Sequence, residues 1–366
     1  MGVLRFILAV SVIAAHTSLI LGSSFVGGVI AVKAFYIISG FYMSLILNEK
    51  YKDVKGSYSV FITNRFLKIY PMYWLVLVFT VVFYLLNFYL GKNVEANFII
   101  NYKEYLNSKY FSLLTFAIFI LVNILIIGQD ALLFMGINQN GFFFTKNFRT
   151  TNPQLYNFLA IPQAWTISLE LIFYFIAPFI VRRKMKFVFP LILICFFLKF
   201  YFYRNGFKND PWNYRFFPFE LGFFLIGNIC YRCYQKMKNY DIGLPKYYWI
   251  LVSFVFCFTY FFNNIPVFNL IKEYLFYFFI ACVIPILFIA SKNNKWDNYL
   301  GDLSYLLYIS HILVLLIINK WYFENESLGI VTLASSLLFS VLSKELIMNK
   351  IEVFRQSRIV INKNKI

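Results

Sequence analysis

The first apolar run of the chain, VLRFILAVSVIAAHTSLILG at residues 3–22, decides the class of fold. It has the length of about 20 residues that a helix needs to cross a bilayer. Two of its residues, Arg5 and His16, are costly in lipid and are functional candidates for that reason. Residues about 11 positions apart, as Arg5 and His16 are, lie within about 20° of the same helical face and about 16 Å apart along the axis. The run therefore predicts a retained membrane span with a cation and a proton acceptor on one stripe.

The composition of the chain is that of a polytopic membrane protein. Hydrophobic residues make up 61% and charged residues 14%, with a mean hydropathy of +0.68, which excludes an ordinary soluble domain. The formal net charge is +18, and the Lys and Arg residues cluster between apolar runs, as in loops kept on the cytoplasmic side. We expect the lipid bilayer as a partner and no nucleic acid.

Windows of about 20 apolar residues predict eleven segments. They lie near residues 3–22, 26–47, 71–90, 111–128, 165–181, 187–204, 216–234, 248–263, 272–291, 303–320 and 328–347. Eleven crossings from a cytoplasmic N-terminus would place the basic run at residues 182–186 outside, against the positive-inside tendency. We therefore expect residues 111–144 to return to their starting side as a re-entrant segment.

The predicted fold class is an all-α, polytopic transmembrane helical bundle with about ten spans plus this re-entrant segment. A single transmembrane domain would cover residues 1–347, and a basic cytoplasmic tail residues 348–366. Both termini are expected in the cytoplasm. Cys230 and Cys233 form a CxxC without a second pair or a nearby histidine, so no metal site is predicted. The oligomeric state stays open.

Arg65 and Lys68 precede the aromatic stretch Tyr70-Pro71-Met72-Tyr73-Trp74 at the entry to the third segment. Residues three apart share a helical face, so the two cations could hold a phosphorylated ligand at the cytoplasmic surface. Ordinary positive-inside anchoring explains them as well. Pro71 suits the start of a helix.

Lys33 and Ser39 lie in the second segment. An ammonium at the depth of Lys33 needs a partner or a watery cavity, unless it extends to the outer interface. Ser39 and Gly40 allow a helix or a ligand to approach closely.

Three residues open the fifth segment: Trp165, Ser168 and Glu170. Under the predicted topology, Glu170 and Glu220 lie at the same outer depth. A carboxylate there could accept a proton, orient a sugar hydroxyl or pair with a cation. A purely structural ion pair is the alternative for each.

The tenth segment follows Gly301 and contains Ser304, Tyr305, Tyr308 and His311. Ser304, Tyr308 and His311 share a helical face because they are four and three residues apart. His311 is either a second catalytic group or a hydrogen-bonded packing residue.

These blocks, in this order, resemble the membrane-bound acyltransferase-3 family. They are the Arg-His pair (Arg5, His16), the aromatic-x-x-Ser-Gly turn (Phe35 to Gly40), the basic pair before Tyr-Pro (Arg65, Lys68), Trp-x-x-Ser-x-Glu (Trp165 to Glu170), and Gly-x-x-Ser-Tyr ending in histidine (Gly301 to His311). Ile351-Glu352 resembles the Ile-Glu-x-Pro near the end of that family. Lys68 stands where the family has a second arginine, which keeps the charge but loses the planar fork. Thr166 replaces a serine, Val353-Phe354 replaces the proline, and Lys33 stands where many members carry an acid or a neutral residue.

The resemblance implies an O-acyltransferase of the bacterial cytoplasmic membrane. It would move an acetyl or other short acyl group from cytoplasmic acyl-CoA, as co-substrate and with no bound cofactor, to a lipid-linked or surface polysaccharide. His16 and Glu170 would be catalytic, and Arg5, Arg65 and Lys68 would bind acyl-CoA. The acceptor or supporting residues would be Lys33, Ser39, Trp165, Ser168, Glu220, Ser304, Tyr305 and His311. A transporter or flippase of polysaccharide or lipid-linked sugar is the alternative, since spans with buried charges and aromatic cavities also suit one.

Overall fold

A computed structural model describes residues 1–52, 54, 56–91, 98–240, 243–319 and 326–363. These residues are mostly α-helical, which confirms the all-α fold class. The helices are α1 (Gly2–His16), α2 (Gly28–Leu45), α3 (Ser57–Tyr89), α4 (Phe98–Leu106), α5 (Leu113–Leu125), α6 (Gln129–Leu132), α7 (Trp165–Ile180), α8 (Met185–Arg204), α9 (Phe217–Met237), α10 (Tyr248–Tyr260), α11 (Asn269–Ser291), α12 (Lys295–Asn319), α13 (Leu328–Ser343) and α14 (Asn349–Lys363). A short π-helical segment, Lys344–Met348, joins α13 to α14.

Seven helical segments of the described residues are long and apolar enough to cross a membrane. They are Gly28–Lys50, Ser57–Tyr89, Pro162–Ile180, Met185–Arg204, Asn269–Ser291, Lys295–Asn319 and Leu328–Asn362. The apolar helices α1 and α5 are shorter, with 15 and 13 residues. A polytopic membrane protein is therefore confirmed, and the number of ten spans stays a prediction.

The segment expected to be re-entrant contains a helix, a turn and a short β-hairpin. After α5 the chain turns at Gly128, forms the single turn α6, and continues as an antiparallel hairpin of β1 (Met135–Asn138) and β2 (Gly141–Phe144). Met135 pairs with Phe144, and Asn138 with Gly141. Because α5 is about 20 Å long, it is shorter than the ~30 Å hydrocarbon core.

Two helix boundaries differ from the sequence prediction. Pro71 lies inside α3 and does not begin a helix. Membrane helices tolerate an internal proline where neighbouring groups satisfy the freed carbonyl. The first helix ends at His16, although the apolar run continues to Leu21. The chain beyond it is irregular, with positive φ angles at Leu21 and at Gly22.

The chain divides into two compact units. The first unit contains Met1–Met72, Ala177–Val188 and Phe223–Ile366, and the second contains Tyr73–Ile176 and Phe189–Gly222.

In the first unit, α1 and α12 run parallel in close contact. The carboxylate of Asp297 accepts the backbone N–H groups of Gly2 (2.6 Å) and Val3 (3.1 Å), and so caps the first turn of α1 from a distant part of the sequence. A Cβ placed on Gly301 would lie 2.9 Å from the Cα of Gly2. Glycine at both positions is therefore what lets the two backbones meet.

A second close approach joins α2 to the part of α9 that lies in the first unit. A Cβ on Gly40 would lie 1.8 Å from the carbonyl oxygen of Phe224, and a Cβ on Gly227 would lie 2.0 Å from that of Ile37. The amide of Asn228 donates to the hydroxyl of Ser44 (2.8 Å) in the same interface. These small residues fix α2 beside α9.

In the second unit, the buried side chain of Asn123 organises an aromatic core. Its amide nitrogen donates to the carbonyl groups of Phe119 (2.8 Å) and Phe158 (2.9 Å), and its oxygen accepts the N–H of Ala160 (2.8 Å). The rings of Phe119 and Phe158 stack at 4.5 Å. A buried amide with satisfied hydrogen bonds specifies one packing of these segments.

Candidate functional site

The two histidines of the chain meet in the first unit. His16 is the last residue of α1 and His311 lies within α12, and their ring centroids are 5.4 Å apart. At the other end of the same helix pair, Gly2 contacts Asp297. Gly2 precedes His16 by about 14 residues, and Asp297 precedes His311 by the same interval, which is about 21 Å of helix. The parallel packing of α1 and α12 therefore brings the two imidazoles to the same level.

The two imidazoles differ in environment. His311 is fully buried, and its Nδ1 lies 2.7 Å from the carbonyl oxygen of Tyr308. Because a carbonyl only accepts, Nδ1 carries a proton, and in the neutral ring Nε2 carries the lone pair. Nε2 is buried and makes no hydrogen bond with the described residues. His16 is exposed, so it is the imidazole of the pair that a substrate can reach.

A basic cluster occupies the opposite end of α1. Lys68 lies close enough to Arg5 and Arg65 for the charges of both to act on it, and Asp302 is a nearby opposite charge. The guanidinium of Arg5 also faces the ring of Tyr42 at 5.9 Å. The three basic residues predicted to bind a phosphorylated ligand are thus brought together, on α1 and on α3.

A fourth cation of this cluster was not predicted from the sequence. Arg355, on α14, also acts on Lys68, and its buried side chain donates from Nε to the backbone carbonyl of Asn64 (2.8 Å). Arg355 belonged to the expected basic tail. Its proximity to α3 depends on tertiary packing that no local pattern indicates.

Lys33 is buried in the first unit. Its ammonium lies 5.8 Å from the ring centroids of both Phe223 and Tyr277, at cation–π distance. Lys33 therefore has aromatic partners within the protein, as an ammonium at that depth needs. Ser39, on the same helix, is also buried.

Ser304 and Tyr305 make contacts that stabilise the first unit. The Ser304 hydroxyl donates to the carbonyl of Gly301 in its own helix (2.7 Å). The Tyr305 hydroxyl donates to the carbonyl of Ile69 on α3 (2.8 Å). Tyr305 thus joins the helix of His311 to the helix of Arg65 and Lys68, and a supporting role for both residues stays a prediction.

In the second unit, Trp165 supports a cluster around Arg215. The guanidinium of Arg215 lies 4.2 Å from the Trp165 ring centroid and forms an ion pair with Asp210 (2.5 Å). Asp210 also pairs with the exposed Arg149 (3.3 Å). Sequence reasoning gave Arg215 and Asp210 no role.

Ser168 joins α7 to the turn around α6. Its hydroxyl donates to Asp130 (2.6 Å) and accepts the backbone N–H of Gly128 (3.1 Å). Burial raises the pKa of the Asp130 carboxyl above its ordinary value, and the hydrogen bond from Ser168 acts in the opposite direction. Sequence reasoning missed Asp130, although an acid within an apolar stretch is a signal that could have found it.

The two predicted glutamates of the second unit have different surroundings. Glu220 is fully buried and forms an ion pair with Lys199 (2.8 Å), which is the structural alternative that the sequence left open. Glu170 is half-buried, and the hydroxyl of Tyr174, one helical turn further along α7, donates to it. Their roles toward a substrate stay predictions.

An exposed imidazole lies beside a buried one at one end of α1, and a basic cluster lies at the other end, so the first unit of this membrane protein combines a group for proton transfer with a site for an anionic ligand. A family model described as an acyltransferase domain matches residues 1–344 of this chain. The chain belongs to this acyltransferase-3 family and is a membrane acyltransferase. No curated protein and no solved structure matches it.

Proposed function

We propose that this protein transfers an acetyl or other short acyl group from cytoplasmic acyl-CoA to a hydroxyl of a lipid-linked or surface polysaccharide, such as O-antigen, exopolysaccharide or capsule. The reaction takes place in the bacterial cytoplasmic membrane, with the basic cluster toward the cytoplasm. The observation that carries the proposal is the placement of Arg5 and His16 on one helix, with the basic cluster around the first and the second imidazole beside the other.

The charge of the basic cluster supports a phosphorylated donor. Acyl-CoA carries several phosphates at one end and its thioester at the end of a long uncharged arm. Phosphates beside Arg5, Arg65 and Lys68 would satisfy cations that are costly at this depth. The arm would then extend along the first unit toward His16.

The length of α1 supports a reaction within the membrane. Its 15 residues extend about 22 Å, less than the ~30 Å of hydrocarbon. If α1 begins at the inner boundary, His16 lies within the bilayer, short of the outer boundary. An acyl group arriving from one side and a hydroxyl from the other can meet there.

The chemistry assigns one proton transfer to His16. The neutral imidazole removes the proton of the acceptor hydroxyl as its oxygen attacks the thioester carbonyl carbon. When the C–S bond breaks, the imidazolium returns a proton to the CoA thiolate. A positioned base typically contributes about 10²- to 10⁴-fold of rate. Transfer through an acyl-imidazole is the covalent alternative, in which His16 itself attacks the thioester.

The acceptor is assigned to the outer side. Glu170 would orient a sugar hydroxyl, since a half-buried carboxylate is a strong hydrogen-bond acceptor. Trp165, Ser168 and Glu220 would support that side within the second unit. Within the first unit, Lys33 and Ser39 would support the acceptor side and His311 would support His16. Ser304 and Tyr305 would support the end with the basic cluster, since the Tyr305 hydroxyl donates to the carbonyl of Ile69.

The test is acyl transfer by purified protein in liposomes supplied with acetyl-CoA and envelope glycan. We expect transfer by the wild type, and loss of it in His16→Ala at an unchanged level of folded protein. Thr17→Ala is the matched control at the same helix end, because the Thr17 hydroxyl donates to a carbonyl of its own helix (2.8 Å). Glycan movement without any acetyl-CoA turnover would favour the transporter. Retained transfer in His16→Ala would remove His16 from the mechanism.

A further inference from the structure

The C-terminal helix α14 is docked against the helix that carries Arg65 and Lys68. Arg358 donates to the side chains of Asn64 (3.0 Å) and Thr63 (2.8 Å). Arg355 donates to the backbone carbonyl of Asn64, whose own amide donates to the carbonyl of Arg355 (3.3 Å). Since Asn64 is fully buried and directly precedes Arg65, α14 packs against α3 directly beside the basic cluster.

The side chain of Arg355 is only 5% exposed. Its guanidinium forms an ion pair with Glu352, whose side chain is 48% exposed. Glu352 also interacts with Lys68 and with Asp302. The cluster thus combines the cations of α1, α3 and α14 with two carboxylates, and the positive charge is in excess.

We propose that Arg355 binds a phosphate group of the acyl donor, next to Arg65 and Lys68. In the structure the guanidinium holds the carboxylate of Glu352. A phosphate has the same sign of charge and can accept N–H bonds from both terminal nitrogens of the guanidinium, so it replaces Glu352 when the donor binds. Lys68 is a point charge, whereas Arg355 supplies a planar fork that matches phosphate.

This assignment rests on the proposed function for the identity of the donor, and extends it to a helix outside the matched family domain. The family model ends at residue 344, and α14 begins at Asn349. The donor site would therefore be completed by α14, which follows the matched residues and carries Ile351-Glu352, the pair that resembles the Ile-Glu near the end of the family.

Two variants with opposite expected effects distinguish phosphate binding by Arg355 from a purely structural role of its ion pair. Arg355→Gln removes a phosphate-binding group and should weaken coenzyme A binding about 10-fold or more. Glu352→Gln removes the competing carboxylate and should tighten binding. If the ion pair served only to dock α14, breaking it from either side would affect coenzyme A binding in the same direction.

The experiment is calorimetric titration of the full chain in phosphatidylcholine nanodiscs with coenzyme A, 3′-dephospho-coenzyme A and pantetheine. Lys350→Gln is the control, because Lys350 is an exposed cation on the same helix and its loss changes the net charge equally. Thermal unfolding shows that each variant is folded. We expect Arg355→Gln to lose affinity for coenzyme A and to keep that for pantetheine.

Two results would overturn the proposal. One is a folded Arg355→Gln variant that binds coenzyme A as the wild type does. The other is an Arg355-dependent retention of phosphatidylglycerol, in nanodiscs prepared with this lipid, that coenzyme A does not compete with, since the site would then hold a lipid headgroup. If the wild type binds no coenzyme A, the proposed donor is wrong, and titration with pyrophosphate then tests the phosphate site by itself. Pyrophosphate binding that depends on Arg355 supports the phosphate site. If pyrophosphate does not bind, or binds equally to Arg355→Gln, the phosphate site is overturned as well.

Discussion

The imidazole ring of His311 lies 5.4 Å from that of His16, with 40° between the ring planes. His311 is fully buried and held through Nδ1 by the carbonyl of Tyr308, whereas His16 is exposed. The buried Nε2 of His311 can accept an N–H from a reoriented His16 and so fix His16 in the tautomer that a base needs.

This relationship predicts different outcomes for two variants of His311. His311→Gln can place an amide oxygen near the position of Nε2, whereas His311→Asn can replace only the N–H that faces Tyr308. We expect His311→Asn to lower kcat for acetyl transfer about 10²-fold with an unchanged KM for acetyl-CoA, and His311→Gln to lose less. Steady-state kinetics measures both, and ¹⁵N NMR of labelled histidine reports the His16 tautomer. Full activity in His311→Asn would leave His311 as a packing residue.

Two substitutions of Lys68 should have different effects on the KM for acetyl-CoA. Lys68→Ala removes a charge from the basic cluster and should raise the KM for acetyl-CoA, with little change in kcat. Lys68→Arg keeps the charge and adds a fork for phosphate, so its KM should be at or below that of the wild type. An unchanged KM in Lys68→Ala would reduce this residue to a positive-inside anchor.

The close approach of α2 to α9 at Gly40 leaves no room for a larger side chain. Alanine there would place its Cβ 1.8 Å from the backbone carbonyl oxygen of Phe224, so α2 and α9 would have to separate. We expect Gly40→Ala to cost about 1–3 kcal/mol of stability or more, measured as a lower melting temperature in detergent. Gly28→Ala is the control on the same helix, because its Cβ would meet that of Ala15 at 3.4 Å. Equal melting temperatures for the two variants would contradict the packing argument.

The sequence predicts the parts of the site that depend on local geometry. The helical type of the segments, the spacing of Arg65 and Lys68, and the position of His311 on a helix all follow from short-range patterns. The family resemblance follows from the order of its motifs and is confirmed by the match to residues 1–344.

The rest depends on contacts between distant residues. The meeting of His16 with His311 follows from the packing of α1 against α12, which the Gly2–Gly301 approach and the Asp297 cap fix in register. Neither leaves a periodic signal. The same holds for the end of α1, since the apolar run gives no reason to stop there.

Asp130 predicts a pH dependence of stability. Because burial raises its pKa in the folded protein, the folded state binds this proton more tightly than the unfolded chain does. Its stabilising contribution is complete below the ordinary carboxyl pKa of about 4 and is lost as the pH rises through the folded-state pKa. We expect Asp130→Asn to lose less melting temperature between pH 4 and pH 8 than the wild type. Glu104→Gln, at an exposed carboxyl of the same unit, should follow the wild type, and parallel profiles for all three would refute the assignment to Asp130.

Arg215 and Arg149 form a natural comparison, because both pair with Asp210. The side chain of Arg215 is 11% exposed and stacks on Trp165, whereas that of Arg149 is 60% exposed. Lysine at position 215 loses the planar stack and the two parallel bonds to the carboxylate, so Arg215→Lys should cost about 1–3 kcal/mol. Arg149→Lys should cost less than about 1 kcal/mol, since water screens an exposed pair. Chemical denaturation of the two variants in the same detergent measures the difference. A larger loss for Arg149→Lys would show that the Trp165 cluster is not what stabilises this part of the second unit.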